Sequence, residues 1–278
     1  MDLYSLNKIG EGAFSKVELV KDVNTSKLYA RKTIFPRYLK HIHKELKILN
    51  ILKKIKHKNI VEFFGRYHSN NTIGLIFERL ELNLYNFYKL YPERIDNTLI
   101  CKFTKQILEG IEFVHSIFII HADLKPENVM IKDLESTTIK IIDFGSSIVN
   151  GLDKHTHFYR VSRYYRAPEL VYEQQFNEKI DMWSIGCILY ELIVFKPLFY
   201  AQNTLLLKMV MNTLSYERGF LKYIKMNHLF KSFSNTEQLY IIGLLYKLLE
   251  FDQEDRYSAT KCLTSPYFNK LMFDYNNE

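Results

Sequence analysis

At 278 residues, with 47% hydrophobic and 25% charged side chains, the chain has material for one large or two modest globular domains and none of the bias of a disordered sequence. Lys and Arg number 38 against 31 Asp and Glu, a net charge of +7 that well-solvated lysines account for, so no direct nucleic-acid binding is expected. Cys101, Cys187 and Cys262 stand far apart with no C-x-x-C spacing, which argues against a zinc ribbon or a disulfide framework and suits a reducing compartment.

The opening Met1-Asp2-Leu3-Tyr4-Ser5 has no basic stretch leading into an apolar one. The most apolar run, Ile185 to Phe195, contains Glu191 and falls well short of the roughly 18 apolar residues of a spanning helix. The expectation is an intracellular protein away from membranes, in the cytoplasm, the nucleus or both.

In chain order, Tyr4–Ile9, Val17–Lys21 and Leu28–Thr33 alternate apolar and β-branched residues between turn signals and read as strands. Lys40 to Ile55 has helical spacing, with Ile42, Leu46, Leu49 and Leu52 on one face. Ile60–Tyr67 and Ile73–Phe77 read as two further strands. After about residue 80 the period turns helical, most clearly in Thr98–His115, Lys179–Phe195, Thr204–Leu214 and Glu237–Leu249. Strands followed by helices predict an α+β arrangement, with a small β-rich part and a larger helical one.

Five features carry chemistry. Gly10-Glu11-Gly12-Ala13-Phe14-Ser15-Lys16-Val17 lies between two predicted strands, where glycines let backbone N–H groups approach a phosphate. It is not a Walker A loop, because Ser15 precedes Lys16 and a strand follows. Lys32 on the third strand and Glu45 on the following helix could fix nucleotide phosphates as a pair, although alone each reads as a surface charge.

His121-Ala122-Asp123-Leu124-Lys125-Pro126-Glu127-Asn128 is the decisive segment. Asp123 can take or orient the proton of an incoming hydroxyl, Lys125 can neutralise a transferring phosphoryl group, and the Asn128 amide oxygen can ligate magnesium. Seven defined residue types in eight positions arise by chance about once in a billion starts. Asp143-Phe144-Gly145 follows the predicted strand Ile139–Ile142 and can supply a second oxygen ligand for Mg²⁺. Ala167-Pro168-Glu169 follows it, leaving room for a segment that phosphorylation can reorder.

With these motifs in order, the sequence resembles the eukaryotic protein kinases over nearly its full length. The resemblance implies one bilobal domain over 1–278, with an N-lobe of about 1–79 and a C-lobe of about 80–278. It implies a monomer that acts on protein substrates with ATP and Mg²⁺ as cofactors. Adenine would be contacted by Val17, Ala30 and Met130 and by the hinge at Glu78 to Leu80, with Phe77 behind and Ile9, Gly10 and Gly12 above. Lys32 and Glu45 would orient the phosphates, and Asp143 and Asn128 would hold the metal. Asp181 would brace the catalytic loop, Arg256 would pair with Glu169, and Ser162 would hydrogen-bond toward Asp123 and Lys125. A scaffold without turnover would have lost Lys32, Asp123, Asn128 or Asp143, and all four are present.

Ser162-Arg163-Tyr164-Tyr165-Arg166-Ala167-Pro168-Glu169 and Ile180-Asp181-Met182-Trp183-Ser184-Ile185-Gly186-Cys187 resemble the branch of cyclin-dependent, mitogen-activated and dual-specificity tyrosine-regulated kinases. Within it, Ile141-Ile142-Asp143-Phe144-Gly145-Ser146-Ser147 and Phe77-Glu78-Arg79-Leu80 resemble the dual-specificity tyrosine-regulated group, and His121-Ala122-Asp123 its homeodomain-interacting members. The resemblance implies self-phosphorylation at Tyr159, with the phosphate paired to Arg163 and Arg166.

Three departures stand out. Ser15 replaces the third glycine of the loop. Ala122 replaces the Arg that commonly precedes the catalytic Asp, which removes the usual phosphothreonine switch. His157 stands where many relatives have a second Tyr. The His41-Ile42-His43-Lys44-Glu45 run looks like a metal cluster but does not share one helical face. The basic run Lys53-Lys54-Ile55-Lys56-His57-Lys58 reads first as a solvated helix end.

Overall fold

A computed structural model describes residues 1–12, 14–69, 72–149, 162–215 and 220–268. Two compact units emerge. The first comprises Met1–Leu82 and Met130–Gly145; the second takes Asn83–Val129 and the described residues from Ser146 onward. The α+β arrangement predicted from the sequence is present, with a strand-rich first unit and a largely helical second one.

The first unit is built on an antiparallel sheet of β1 (Leu3–Glu11), β2 (Ser15–Asp22), β3 (Leu28–Ile34), β4 (Phe63–Ser69) and β5 (Thr72–Glu78), ordered β1-β2-β3-β5-β4. Cross-strand partners point to the same face and neighbours along a strand to opposite faces. Val20 pairs with Tyr29, and Arg31 with Ile76. That face carries a cluster of Val20, Tyr29 and Ile76, with Leu3, Phe64 and Tyr67 packed against it. Val17 pairs with Lys32, and Ala30 with Phe77, so these four share the opposite face.

Strand β1 is an exposed edge, with Tyr4, Leu6 and Ile9 all solvated. Bulges between Ser5 and Asn7 and between Lys8 and Gly10 interrupt its ladder, a device that discourages edge-to-edge pairing.

Helix α1 (Ile42–Ile55) buries Ile42, Leu46, Leu49 and Leu52, the face read from the sequence, and Glu45 with them. The predicted helix start at Lys40 is a separate 3-10 turn over Pro36–His41, which Pro36 initiates. The predicted strand Ile60–Tyr67 also begins late, at Phe63. Its first residues belong elsewhere: Ile60 bridges Ile141 in parallel, and the Val61 N–H donates to the Ile141 carbonyl at 3.0 Å. Strand β6 (Leu82–Asn83) lies where the chain passes from the first unit to the second. Strands β8 (Val129–Ile131) and β9 (Ile139–Ile141) are neighbours in a small sheet, and the Ile141 bridge to Ile60 together with the Glu81 N–H, which donates to the Ile131 carbonyl at 2.9 Å, ties them to the first unit.

The second unit is organised around α5 (Lys179–Val194), in which every residue from Ile180 to Ile193 is buried. An all-round apolar helix is a core helix. It packs against α3 (Asn97–Ser116), capped by the Asp96 side chain, and α9 (Asn235–Leu248), which carries a Ser234/Glu237 capping box. It stops at Phe195, whose φ of 58° is left-handed. Strand β7 (Ile119–Ile120) pairs with β10 (Ile148–Val149). The short helices α2 (Leu84–Leu90), α4 (Pro168–Val171), α7 (Phe220–Met226), α8 (His228–Lys231) and α10 (Ala259–Leu263) span too few turns to display a helical period. Helix α6 (Thr204–Ser215) matches its predicted span within a residue.

Gly186 marks the closest approach to α5. A Cβ there would stand 2.7 Å from Leu249 Cδ2 and 3.0 Å from Leu248 Cβ. Gly186→Ala is expected to lower stability by about 1–3 kcal/mol through overpacking, read by urea denaturation. An unchanged midpoint would mean that this contact relaxes freely.

Candidate active site

Lys32 sits at the centre of the first unit's polar site. Its Nζ donates to Glu45 Oε1 at 2.7 Å and to Asp143 Oδ1 at 2.8 Å. The β3 register turns Lys32 toward α1, and the α1 stripe places the buried Glu45 opposite it. Burial pulls the Lys32 pKa down, but Asp143 and then Glu45, at contact distance, outweigh it and hold the ammonium above its usual value. The site therefore presents a fixed cation. Asp143 adopts φ 63°, an uncommon left-handed conformation for a non-glycine residue, and its carboxylate is 43% exposed.

Of the other expected nucleotide contacts, Val17, Ala30 and Phe77 share the sheet face of Lys32. Gly10 lies across from Val17, the Gly12 N–H donates to the Ser15 carbonyl at 2.9 Å, and Ile9 is exposed. The Glu78 carboxylate takes the Glu62 N–H at 2.7 Å and Lys140 at 3.0 Å. Leu80 is buried, and Met130 is half-buried at the second residue of β8.

The second unit holds the loop from His121 to Asn128. Pro126 starts a 3-10 turn over Pro126–Asn128, which brings Asn128 back onto Asp123. Asn128 Nδ2 donates to the Asp123 carbonyl at 2.7 Å and to Asp123 Oδ2 at 3.2 Å. Lys125 Nζ lies 2.8 Å from both Asp123 Oδ2 and Ser162 Oγ, and the Ser162 N–H donates to Asp123 Oδ1 at 2.8 Å. Asp123, Lys125, Asn128 and Ser162 thus form one network.

That network hangs from α5. The Asp181 carboxylate accepts the His121 N–H at 2.8 Å and the Ala122 N–H at 2.9 Å, and lies 2.9 Å from His115 Nε2. Ala122 is buried at φ 64°, the position where an Arg commonly stands. Below the loop, Arg256 donates to both carboxylate oxygens of Glu169, at 2.6 and 3.0 Å, as a buried fork.

Magnesium is typically held by one or two protein carboxylates together with substrate phosphates, and each unit offers one oxygen donor of the required kind. Asp143 offers a carboxylate, and Asn128, with its Nδ2 committed to Asp123, has Oδ1 as its coordinating end. Among the described residues no group of three or more His, Cys, Asp or Glu could hold a metal ion.

Tyr159 and His157 lie outside the described residues. Arg163 is exposed and donates to the Gln202 carbonyl at 2.8 Å, whereas Arg166 is 6% exposed. The expected partner of both arginines, a phosphate on Tyr159, falls outside the described residues.

A further carboxylate escaped the sequence reading as a site. Glu191, on α5, accepts the Tyr88 hydroxyl at 2.5 Å and the Tyr165 hydroxyl at 2.7 Å. Its only sequence signal is a lone acid inside an apolar run. Burial raises its pKa, opposed by those two hydroxyls, and burial raises both tyrosines too. The folded protein therefore keeps the Glu191 proton to higher pH than the unfolded chain, so stability falls as pH climbs from about 4.3 through the folded value. Glu191→Gln removes this titration. The wild-type advantage over the variant is expected to shrink as pH rises above about 4.3 in paired urea titrations. A pH-independent difference would contradict the assignment.

The protein kinase domain family matches residues 3–268. Serine/threonine-protein kinase ppk15 of Schizosaccharomyces pombe is 35% identical over 201 residues, 70% of this chain and 37% of that protein. Dual specificity tyrosine-phosphorylation-regulated kinase 3 of Homo sapiens is 35% identical over 204 residues, 71% of this chain and 34% of that protein. Mitogen-activated protein kinase HOG1 of Scheffersomyces stipitis is 33% identical over 290 residues, 94% of this chain and 72% of that protein. The chain thus spans only about a third of the first two relatives.

Proposed function

The chain belongs to the eukaryotic protein kinases, in the branch that includes the mitogen-activated and dual-specificity tyrosine-regulated kinases, and from that premise we propose that it transfers the γ-phosphoryl group of ATP to Ser and Thr hydroxyls of protein substrates. The observation that carries this reading is the Asp123–Lys125–Ser162 network, a carboxylate and an ammonium locked 2.8 Å apart on a backbone fixed by Asp181.

In this reading Asp123 orients the substrate hydroxyl and accepts its proton as the new P–O bond forms and the bond to the β-phosphate oxygen breaks. Lys125 offsets charge on the transferring group, and Lys32, held by Glu45, binds the α- and β-phosphates. Bound magnesium would neutralise charge on the β- and γ-phosphates, with Asp143 and Asn128 as its protein ligands. Positioning and electrostatics supply the rate, without a covalent intermediate. Ser162 holds Asp123 and Lys125 in register.

The motifs favour the dual-specificity tyrosine-regulated group and hence self-phosphorylation at Tyr159, with Arg163 and Arg166 as partners for the phosphate. Location inside the cell, in the cytoplasm or nucleus, fits three free, buried cysteines whose thiols burial pushes above their usual range. Among the described residues no helix is long and apolar enough to cross a membrane.

Phosphosite mapping by mass spectrometry tests these assignments, using purified protein and its Asp123→Asn variant, each incubated with ATP, Mg²⁺ and a basic protein substrate. The wild type is expected to phosphorylate Ser and Thr on the substrate and to carry phosphate on Tyr159. Asp123→Asn is expected to lose transfer by about 10²-fold or more. Tyr159 phosphate at equal levels in both proteins, or in neither, would refute self-phosphorylation.

A further inference from the structure

Away from the candidate active site, the first unit holds a pocket of about 230 Å³ beside the C-terminal end of α1. Its apolar lining comes from Leu52, Ile60, Val61 and Phe63, all buried and none used by the proposed chemistry. Lys53, Lys56, Lys58 and Lys140 also line it, against Glu62 as the one acid, for a net charge of +3 with His57 neutral.

The helix end explains Lys53, because cations suit the negative pole of the helix dipole. It does not explain Lys58, from the segment after the helix, or Lys140, from β9, which converge on the same pocket. Lys140 is anchored at its rim, donating to the Ile60 carbonyl at 3.1 Å and to Glu78 at 3.0 Å. Lys53 lies over the Phe63 ring and donates to the Phe64 carbonyl. Lys56 meets Glu62 at 2.5 Å, but that lysine side chain is 69% exposed, and pairs so solvated exchange partners at little cost. The Glu62 pKa is lowered, first by its hydrogen bond to Lys56, with Lys140 and Lys27 adding to the positive surroundings. Ile55 adds a half-exposed apolar side chain on the same turn as Lys56.

We propose that this pocket is a docking site for an acidic peptide segment of a protein partner, with an apolar residue seated on the Leu52–Ile60–Phe63 floor and flanking carboxylates on Lys53, Lys56 and Lys58. An apolar floor with a basic rim is the complement of that peptide, and the charges would steer encounter and set specificity. The site lies within one unit and does not rest on the kinase reading.

The test is fluorescence polarisation with a labelled decapeptide carrying a central Leu-Ile pair flanked by glutamates. Binding is expected to weaken about tenfold or more when the glutamates become glutamines, and likewise in the Lys56→Glu/Lys58→Glu protein, whose two changes lie at exposed positions. Replacing the Leu-Ile pair by Ala-Ala should also weaken binding, which a purely electrostatic surface would not do. Unchanged melting temperature and unchanged ATP-dependent transfer would show that the charge-reversed protein is folded. If reversal costs the fold, Lys58→Ala alone serves, with a smaller expected loss. Failure of the peptide to bind, equal binding by the glutamine peptide, or equal binding by the charge-reversed protein would overturn the proposal. Tighter binding of a single-stranded RNA oligonucleotide, lost in the same variant, would assign the pocket to nucleic acid instead.

Discussion

The buried carboxylate of Asp181 is the contact on which the rest of the proposed catalytic arrangement depends. It sits near the start of the most deeply buried helix, and it collects two consecutive backbone N–H groups and His115. Backbone donors buried without a partner would each cost about 1–3 kcal/mol, so the carboxylate removes a penalty while fixing the chain's direction. It also holds Ala122 in a left-handed conformation that few non-glycine residues adopt. The next residue is Asp123, and its geometry inherits that constraint. Lys125, Asn128 and Ser162 then close on it through bonds of 2.7 to 3.2 Å.

The first unit solves a different problem with the same economy of parts. A lysine on a strand is held by two carboxylates, one from a helix and one from the segment after β9, so its charge is fixed and its position is determined by three elements. Burial alone would favour the neutral amine. The paired anions reverse that preference and keep Lys32 a cation. Each unit thus carries its own part of the proposed machinery.

Features encoded within a few residues were readable in the sequence. The alternation in β2 and β3, the Ile42–Leu52 stripe of α1 and the eight-residue loop around Asp123 all follow from local spacing. Features that depend on distant partners were not. Ile60 has strand-like neighbours but pairs with Ile141, and a sequence separation of 103 hides the contact of Tyr88 with Glu191. Arg163 and Arg166 look equivalent in sequence, yet one is exposed and the other buried. The lysines around the α1 end look like a solvated helix terminus until Lys58 and Lys140 join them from other segments. Helices of four to seven residues escaped because they complete too little of a period to be distinguished from turns.

The central claim is that the fixed charges around Lys32 and Asp123 serve transfer of the γ-phosphoryl group. The most direct test is the initial rate of radiolabel transfer from γ-labelled ATP to a basic protein substrate, compared between the wild type and Lys32→Met with both proteins shown to be folded. The expected result is measurable Mg²⁺-dependent transfer by the wild type and a loss of about 10²-fold or more in the variant. No transfer by the folded wild type, or equal rates for the two proteins, would contradict the account.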